Sequence, residues 1–407
     1  MKARELKSNP LNKVIRTDIP GIFNEVNILK KHKDRFLHAL SNDVILPPYE
    51  VLIHLNGTCN LKCEWCIGGR VLEEKAKGKT LEELGVLPSL LANPNNTERV
   101  IKSIISYKKD GFRIENVSFS GITGEPLVAK KAFIRAINLL SSAKENTRTG
   151  VYSNSTLIDD EIIEVLLKMN YINISFDAGT PETYAKLKFG NNPAGKELYK
   201  KLLSNIKRLS DARRKSKNSR LEINASYLLY PDNYKEIYRA AKILKDLGVR
   251  NMKMKQDIYK KRLLSKEQLK ETSILIEKIK KIEDDNFRFI PIHRVGVTDD
   301  LDRKLDKCLI SDLMAAVGSD GNVYPCNYQA YPGGYTFGNA IKTSFKKIWE
   351  GKKRMLLRKR LPKVCPSVCD PFKTRANKLF QEIIYCKERY GIKKTKQFVD
   401  EIVNEAD

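Results

Sequence analysis

The chain predicts an α/β fold, a partial parallel (β/α)6 barrel with a small α+β module appended after it. Three observations point there. Short apolar strands alternate with amphipathic helical stretches from about residue 49 to 258, the order that makes βα units and a parallel sheet. No apolar run approaches the roughly 18 residues needed to span a bilayer. The eight cysteines fall mostly into two sets, one inside the alternating region and one after it.

The elements follow in order. Residues 1–48 read as an irregular and helical lead-in ending at ILPPYE. YEVLIHL is a buried strand, followed by a cysteine-rich loop and a long polar, helical stretch to about Lys109. IENVSFSG is a strand and AKKAFIRAINLLSSA a helix; RTGVYSN is a strand and DDEIIEVLLKM a helix. INISFDAG is a strand, PETYAKLK opens a helix, and ELYKKLLSNIKRLSDARRKS is another. LEINASYLLY, NYKEIYRAAKILKDLG and VRNMKMKQ complete the series as strand, helix and strand. The Lys-rich segment 259–307 reads as a helical linker. A second module occupies 308–372, and 373–407 is a charged helical tail.

Composition narrows the setting. Hydrophobic residues make up 41% and charged residues 30%, which allows a substantial core. The start, MKARELKSNPLNKV, has no apolar segment behind its basic residues and is not a secretory signal. The expected location is the cytoplasm, where clustered cysteines bind metal more often than they pair. The net charge of +26 attracts phosphates or nucleic acid. Its lysines are dispersed, however, through stretches such as KKHKDR, RRKSKNSR and KKIWEGKKRMLLRKR, and no nucleic-acid-reading motif accompanies them. Nucleic acid is therefore not singled out, and no membrane partner is expected.

In parallel βα architectures the loops after the strand C-termini gather at one mouth, where sites form. HLNGTCNLKCEWCIGG places Cys59, Cys63 and Cys66 in the loop after the first strand. Three thiolates hold three irons of a [4Fe–4S] cluster and leave one iron open to an external ligand. Structural zinc wants four closed ligands, and no fourth partner lies near this triplet.

Cys59-x3-Cys63-x2-Cys66, with Trp65 before the third cysteine and the loop following the first strand, resembles the radical S-adenosylmethionine superfamily. The resemblance spans about residues 50–258 and implies a TIM-like partial barrel. It also implies that the open iron binds the amino and carboxylate groups of S-adenosylmethionine. Reductive cleavage then gives a 5′-deoxyadenosyl radical that takes a hydrogen atom from substrate. Trp65 would lie along the adenine. SFSGITGEP resembles the family's Gly-Gly-Glu-Pro motif through Gly124, Glu125 and Pro126, with Thr123 displacing the first glycine. These residues would face the cofactor's amino group. Ser153 and Asn154 in YSNST stand where the family contacts the ribose. Asp177 in SFDAGTPETY would serve the ribose or substrate, or else cap the next helix.

Seventeen residues separate Cys308 from Cys326, with SDGNVYP reading as a hairpin turn; Cys365 and Cys369 follow in KVCPSVCDPF. Four thiols make one complete second site, for which zinc is physically acceptable too. GNVYPC, FGN and IW resemble the superfamily's C-terminal SPASM and twitch modules, and four cysteines favour a single auxiliary [4Fe–4S] cluster. The last pair has three intervening residues where two are usual. Cys386 lies in an amphipathic helix as a buried free thiol.

An auxiliary cluster with four protein ligands cannot bind cofactor, and its implied duty is to accept an electron from the substrate radical. This single-cluster layout most resembles a superfamily member that oxidises a secondary alcohol on an aminocyclitol. The first expectation is therefore oxidation of a small sugar-like or cyclitol substrate, with a flavodoxin- or ferredoxin-type electron donor. A ribosomally made peptide is the alternative, placed lower because about 48 residues before the first strand are too few for a leader-binding winged-helix domain. Modification of RNA is another alternative. The alcohol proton needs a base, for which Lys255, Asp257 and Arg262 are candidates, with Tyr259 beside them and Tyr227 facing the mouth from the fifth strand. The four histidines form no ligand pattern, and His54 reads as a satisfied core or barrel-floor residue.

Overall fold

A computed structural model of the protein describes residues 25–75, 85–292 and 307–404. Residues 1–24 of the lead-in, residues 293–306 of the expected linker, and His293 with them lie outside the described residues.

The order is α1 (Glu25–Asn42), β1 (Glu50–His54), α2 (Ile67–Lys75), α3 (Pro94–Ile105), and the short hairpin β2 (Lys108–Lys109) and β3 (Phe112–Arg113). Then come β4 (Asn116–Ser120), α4 (Lys130–Ser142), β5 (Arg148–Ser153), α5 (Asp160–Leu166), β6 (Tyr171–Ser175), α6 (Pro181–Phe189) and α7 (Ala194–Lys215). β7 (Glu222–Leu229), α8 (Ile237–Asp246), β8 (Asn251–Gln256), α9 (Lys266–Lys280) and β9 (Arg288–Pro291) follow. The last part holds β10 (Met314–Val317), β11 (Asn322–Tyr324), β12 (Gly338–Asn339), α10 (Phe345–Trp349), α11 (Lys352–Arg358) and α12 (Pro371–Asn404).

One sheet runs β12-β11-β10-β1-β4-β5-β6-β7-β8-β9. The six expected strands are neighbours and parallel. Two further parallel strands flank them, β9 beside β8 and β10 beside β1. β9 corrects the expectation that 259–307 is purely helical. Only α9 and its flanks fit that reading; RFIP is a strand because the edge of β8 offers it a ladder of unpaired backbone groups. β10, β11 and β12 extend the same sheet past β1, so the second cysteine module is hydrogen-bonded onto the barrel.

Alternation along the strands divides two environments. Val51, Ile53, Val117, Phe119, Ile172, Ile174, Met252 and Met254 join the helices in the main core. The opposite positions, among them Glu50, His54, Asn116, Ser118, Tyr152 and Asn173, face the lumen and are polar. The helices close where the sequence says they should. Thr180 caps α6 by accepting the Thr183 N–H at 3.2 Å, and Gly190 ends it at φ +61°. α12 turns at Gly391, φ +78°, and its two arms pack on α1, with Phe36 and Phe380 4.7 Å apart. Cys386 is buried on this helix, as expected. No helix among the described residues is long and apolar enough to cross a membrane.

Candidate active site

The loop after β1 is fastened on several sides. Lys62 and Glu64 donate backbone N–H groups to the carbonyls of Lys188 (3.1 Å) and Leu187 (3.1 Å), which end α6. Asn60 accepts from Asn154 Nδ2 at 2.9 Å and donates to Thr156 Oγ1 at 2.9 Å. Asn56 donates to the Glu125 carbonyl at 2.7 Å, and Thr123 Oγ1 donates to the Gly57 carbonyl at 3.0 Å. A side chain at Gly124 would meet the Asn56 carbonyl oxygen 2.3 Å from its Cβ. The loops after β1, β4, β5 and β6 thus interlock at the barrel mouth.

This brings Cys59, Cys63 and Cys66 within electrostatic reach of one another. Cys59 Sγ accepts the Leu61 N–H at 3.4 Å and Asn154 Nδ2–H at 3.7 Å. Burial pushes the Cys59 thiol up to about 11 and raises Cys63 as well. A thiol held protonated by its surroundings gives up that proton to a soft metal ion. Among the described residues no three His, Cys, Asp or Glu side chains converge as they do around a single ion. Three soft donors on one loop, with hydrogen-bond donors aimed at sulfur, fit an iron–sulfur cluster.

The expected cofactor residues have definite partners. Glu125 is buried, and its carboxylate accepts from Ser153 Oγ (2.7 Å), Asn154 N (2.8 Å) and Leu127 N (3.2 Å). Burial pushes its carboxyl above the usual carboxylate range, and those three donors draw it only part of the way back. Ser153 and Asn154 therefore brace Glu125, and Pro126 begins the turn behind it. Asp177 does not cap the next helix, because Thr180 does. Its carboxylate instead pairs with buried Lys188 and accepts the Leu228 N–H at 2.7 Å. Trp65 packs against Tyr230 at 4.6 Å, with the Arg262 guanidinium 4.1 Å above the ring, and its buried Nε1 has no partner among the described residues.

Several expectations are corrected. Tyr227 does not face the mouth: it is fully buried in the helix-side core, with its hydroxyl donating to the Asn233 carbonyl at 2.6 Å. Its odd-numbered register on β7 matches that of Ile223 and Ala225. Arg262 is unsuited as a base, being a guanidinium paired with Asp232 and lying over Trp65. Asp257 accepts the backbone N–H groups of Tyr259, Lys261 and Arg262 at 3.0–3.2 Å and so shapes its own loop. Lys255 stands half-buried on β8 beside Leu228. His54 is buried, but its Nε2 has no partner among the described residues, so it is not satisfied there; burial lowers it to about 4.

The second set belongs to the module paired onto β1 through β10. Cys308, Cys326 and Cys369 sense one another's charge, and Tyr331 senses both Cys326 and Cys365. Burial pushes Cys308 up to about 11 and Cys369 to about 12. Asn377 of α12 clamps the first of them, accepting the Leu309 N–H at 2.5 Å and donating to the Lys307 carbonyl at 2.6 Å. Glu74 of α2 reaches across to accept the N–H and hydroxyl of Ser367, each at 2.8 Å, so the helix after the first cysteine loop holds the Cys365–Cys369 loop.

Sequence reasoning missed the residues between the two sets. Glu50 accepts from Asn116 Nδ2 (2.8 Å) and Ser118 Oγ (2.9 Å). Tyr152 is 36% exposed although it stands on an inward position near Glu50, Tyr171 and Asp370, which marks an open lumen. Lys373 lies within charge range of Cys326, Cys369, Asp370 and Glu50. Polar residues at strand positions that should face a barrel interior were the available signal.

A family model for the radical SAM superfamily matches residues 53–242, and one for SPASM, an iron–sulfur cluster-binding domain, matches 308–370. Streptococcus suis SuiB bound to S-adenosylmethionine is 13% identical with a TM-score of 0.53, over 86% of this chain and 76% of that one. SuiB bound to the precursor peptide SuiA is 14% identical, TM-score 0.52, over the same shares. Native anSMEcpe with bound AdoMet and Cp18Cys peptide is 15% identical, TM-score 0.52, over 89% of this chain and all of that one. At such identities the likeness shows the fold. No curated protein matches the sequence.

Proposed function

We propose, from the premise that this chain belongs to the radical SAM superfamily and ends in a SPASM iron–sulfur domain, that it oxidatively modifies a side chain of a peptide or protein substrate. Its two domains imply [4Fe–4S] clusters, and its cofactor is S-adenosylmethionine. Bound at the mouth, that pair supplies a carbon-centred radical able to take a hydrogen atom from substrate.

The chain's own residues would share the rest. Cys59, Cys63 and Cys66 would hold the first cluster, and Cys308, Cys326, Cys365 and Cys369 the second. Glu125, braced by Ser153 and Asn154, would fix the Gly124–Pro126 backbone for the cofactor's amino group. Trp65, roofed by Arg262, would offer its face to the adenine. Asp177 and Lys188 would keep the cysteine loop seated. The single observation that carries the reading is three thiols on one loop after β1 and a four-cysteine module paired to the same sheet through β10, with Glu74 bonding the loop of its last two cysteines.

A peptide is favoured because the similar folds of SuiB and anSMEcpe were solved with peptides bound. The sugar- or cyclitol-oxidising reading rests on the cysteine layout alone and ranks below it.

The test is anaerobic reconstitution followed by reductant and S-adenosylmethionine. 5′-Deoxyadenosine should form, Cys59→Ala should abolish it, and a peptide pool should show members lighter by two hydrogens. Zinc in both sites with no 5′-deoxyadenosine would overturn the enzymatic reading. Turnover of cyclitols, with every peptide untouched, would overturn the substrate class.

A further inference from the structure

We propose that α11 and the groove beside Cys308 form a docking surface for an acidic one-electron carrier protein of the flavin or iron–sulfur class. This rests on the reading that Cys308 holds the auxiliary cluster.

Cys308 is half-buried and borders an open groove of about 760 Å³ walled by Lys307, Arg358, Lys359 and Tyr385, with Glu382 and Glu388 on the α12 side. A second groove of about 400 Å³ runs along the other flank of α11, past Tyr335, Leu356 and Arg360. α11 stands between them as a rigid ridge. Its Arg354 is buried over Trp349, 3.8 Å from the ring centre, and reaches Asp312 at 2.8 Å.

The exposed side of that ridge is cationic around an apolar centre. Between residues 346 and 363 eight lysines and arginines are exposed. The one acid there, Glu350, is engaged by Tyr107 at 3.0 Å and by Lys109. Of the eight, only Arg358 reaches a carboxylate among the described residues, that of Asp312. Leu356 is 66% exposed and Tyr385 51%, the latter with its hydroxyl accepting from Arg389 at 2.6 Å, so apolar surface stands open to a partner there. A small apolar centre inside a charged rim suits a brief, electrostatically steered encounter. Electron tunnelling falls steeply with distance, and this is where a partner can come up against a cluster ligand.

In each encounter one electron would leave the auxiliary centre for the oxidised carrier. The centre is oxidised, the carrier reduced, and no bond forms or breaks. Substrate oxidation by two electrons then balances as one hydrogen atom to the cofactor-derived radical, one proton to solvent and one electron to the carrier. RNA would also feel the positive field, but it gives no reason for the groove to open on Cys308.

The test is binding of a purified acidic flavodoxin to the iron-loaded protein, followed by calorimetry at rising salt. Affinity should fall as salt rises, and the triple variant Lys353→Glu, Lys359→Glu, Arg360→Glu should weaken it by about tenfold or more. The control Lys196→Glu, Lys200→Glu, Lys207→Glu, on the remote helix α7, should leave it within twofold, near unity on the same scale. Equal weakening by both variants would overturn the proposal, as a diffuse field would then be responsible. So would absence of binding, or a single-stranded RNA binding more tightly through the same three residues. 5′-Deoxyadenosine formation with dithionite bypasses the carrier and should be unchanged in the triple variant. If the unaltered protein forms none, the proposed function fails independently of the binding result. Unchanged iron content and circular dichroism exclude misfolding as the cause.

Discussion

Lys188 pairs with Asp177 in the interior behind the cysteine loop, while the Lys188 carbonyl receives the Lys62 N–H of that loop at 3.1 Å. One residue therefore joins an ion pair below the site to the backbone that carries Cys63. The side chains of the pair are only 10% and 11% exposed. Leaving one partner of such a buried pair uncompensated costs about 3–5 kcal/mol. Asp177→Asn is expected to lower unfolding stability by about 3 kcal/mol and to reduce iron retention. Anaerobic denaturant titration with an iron assay checks both, and a loss under about 1 kcal/mol would mean the pair is not what seats the loop.

Glu50 gives a pH dependence. Burial raises its carboxyl, with the Ser118 and Asn116 hydrogen bonds and the charge of Lys373 pulling partly the other way. Its folded value lies above the unfolded value of about 4.3. Its contribution is thus fully present below that pH and is lost as pH rises through the folded value. Glu50→Gln, which keeps an oxygen for both donors, should flatten the decline of stability as pH rises above about 4.3. An identical slope in the variant would remove Glu50 as its source.

Gly124 tests the junction of two loops. An added Cβ would lie 2.3 Å from the Asn56 carbonyl oxygen, and backbone cannot swing aside as a side-chain tip can. Gly124→Ala should fold around an intact sheet but assemble the first cluster poorly. Iron per chain should fall from about eight toward about four. Full iron loading in the variant would show that the junction tolerates a shift.

Arg262 roofs Trp65, and a planar guanidinium stacks where an ammonium does not. Arg262→Ala should expose the indole and cost about 1 kcal/mol. Arg262→Lys should keep the charge beside Asp232 yet lose the stack. Because Trp349 is the only other tryptophan and is fully buried, fluorescence isolates the effect. A red shift in both variants is expected. An unshifted spectrum in Arg262→Lys would mean that charge alone covers the ring.

Local chemistry was legible in the sequence, and long-range partnership was not. The six central strands announced themselves by apolar runs between helices, and the cysteines by crowding. β9 was hidden because RFIP has little strand character except against the edge of β8. Tyr227 looked mouth-facing because a strand's length is visible in sequence but its register is not. A shift of one residue exchanges lumen for core. Glu50, Lys188, Lys373 and Glu74 carried no motif, since each acts through a partner far along the chain.

The sequence by itself determined that an α/β barrel would present three thiols after its first strand and a second set of four beyond it, because strand alternation and ligand spacing are properties of neighbouring residues. Only the tertiary structure decided that the second set is stitched to the same sheet through β10 and to the first through Glu74, that Arg262 covers Trp65, and that polar side chains line the space between. Those relations depend on which distant segments meet, and that is set by packing and hydrogen-bond pairing across the whole fold.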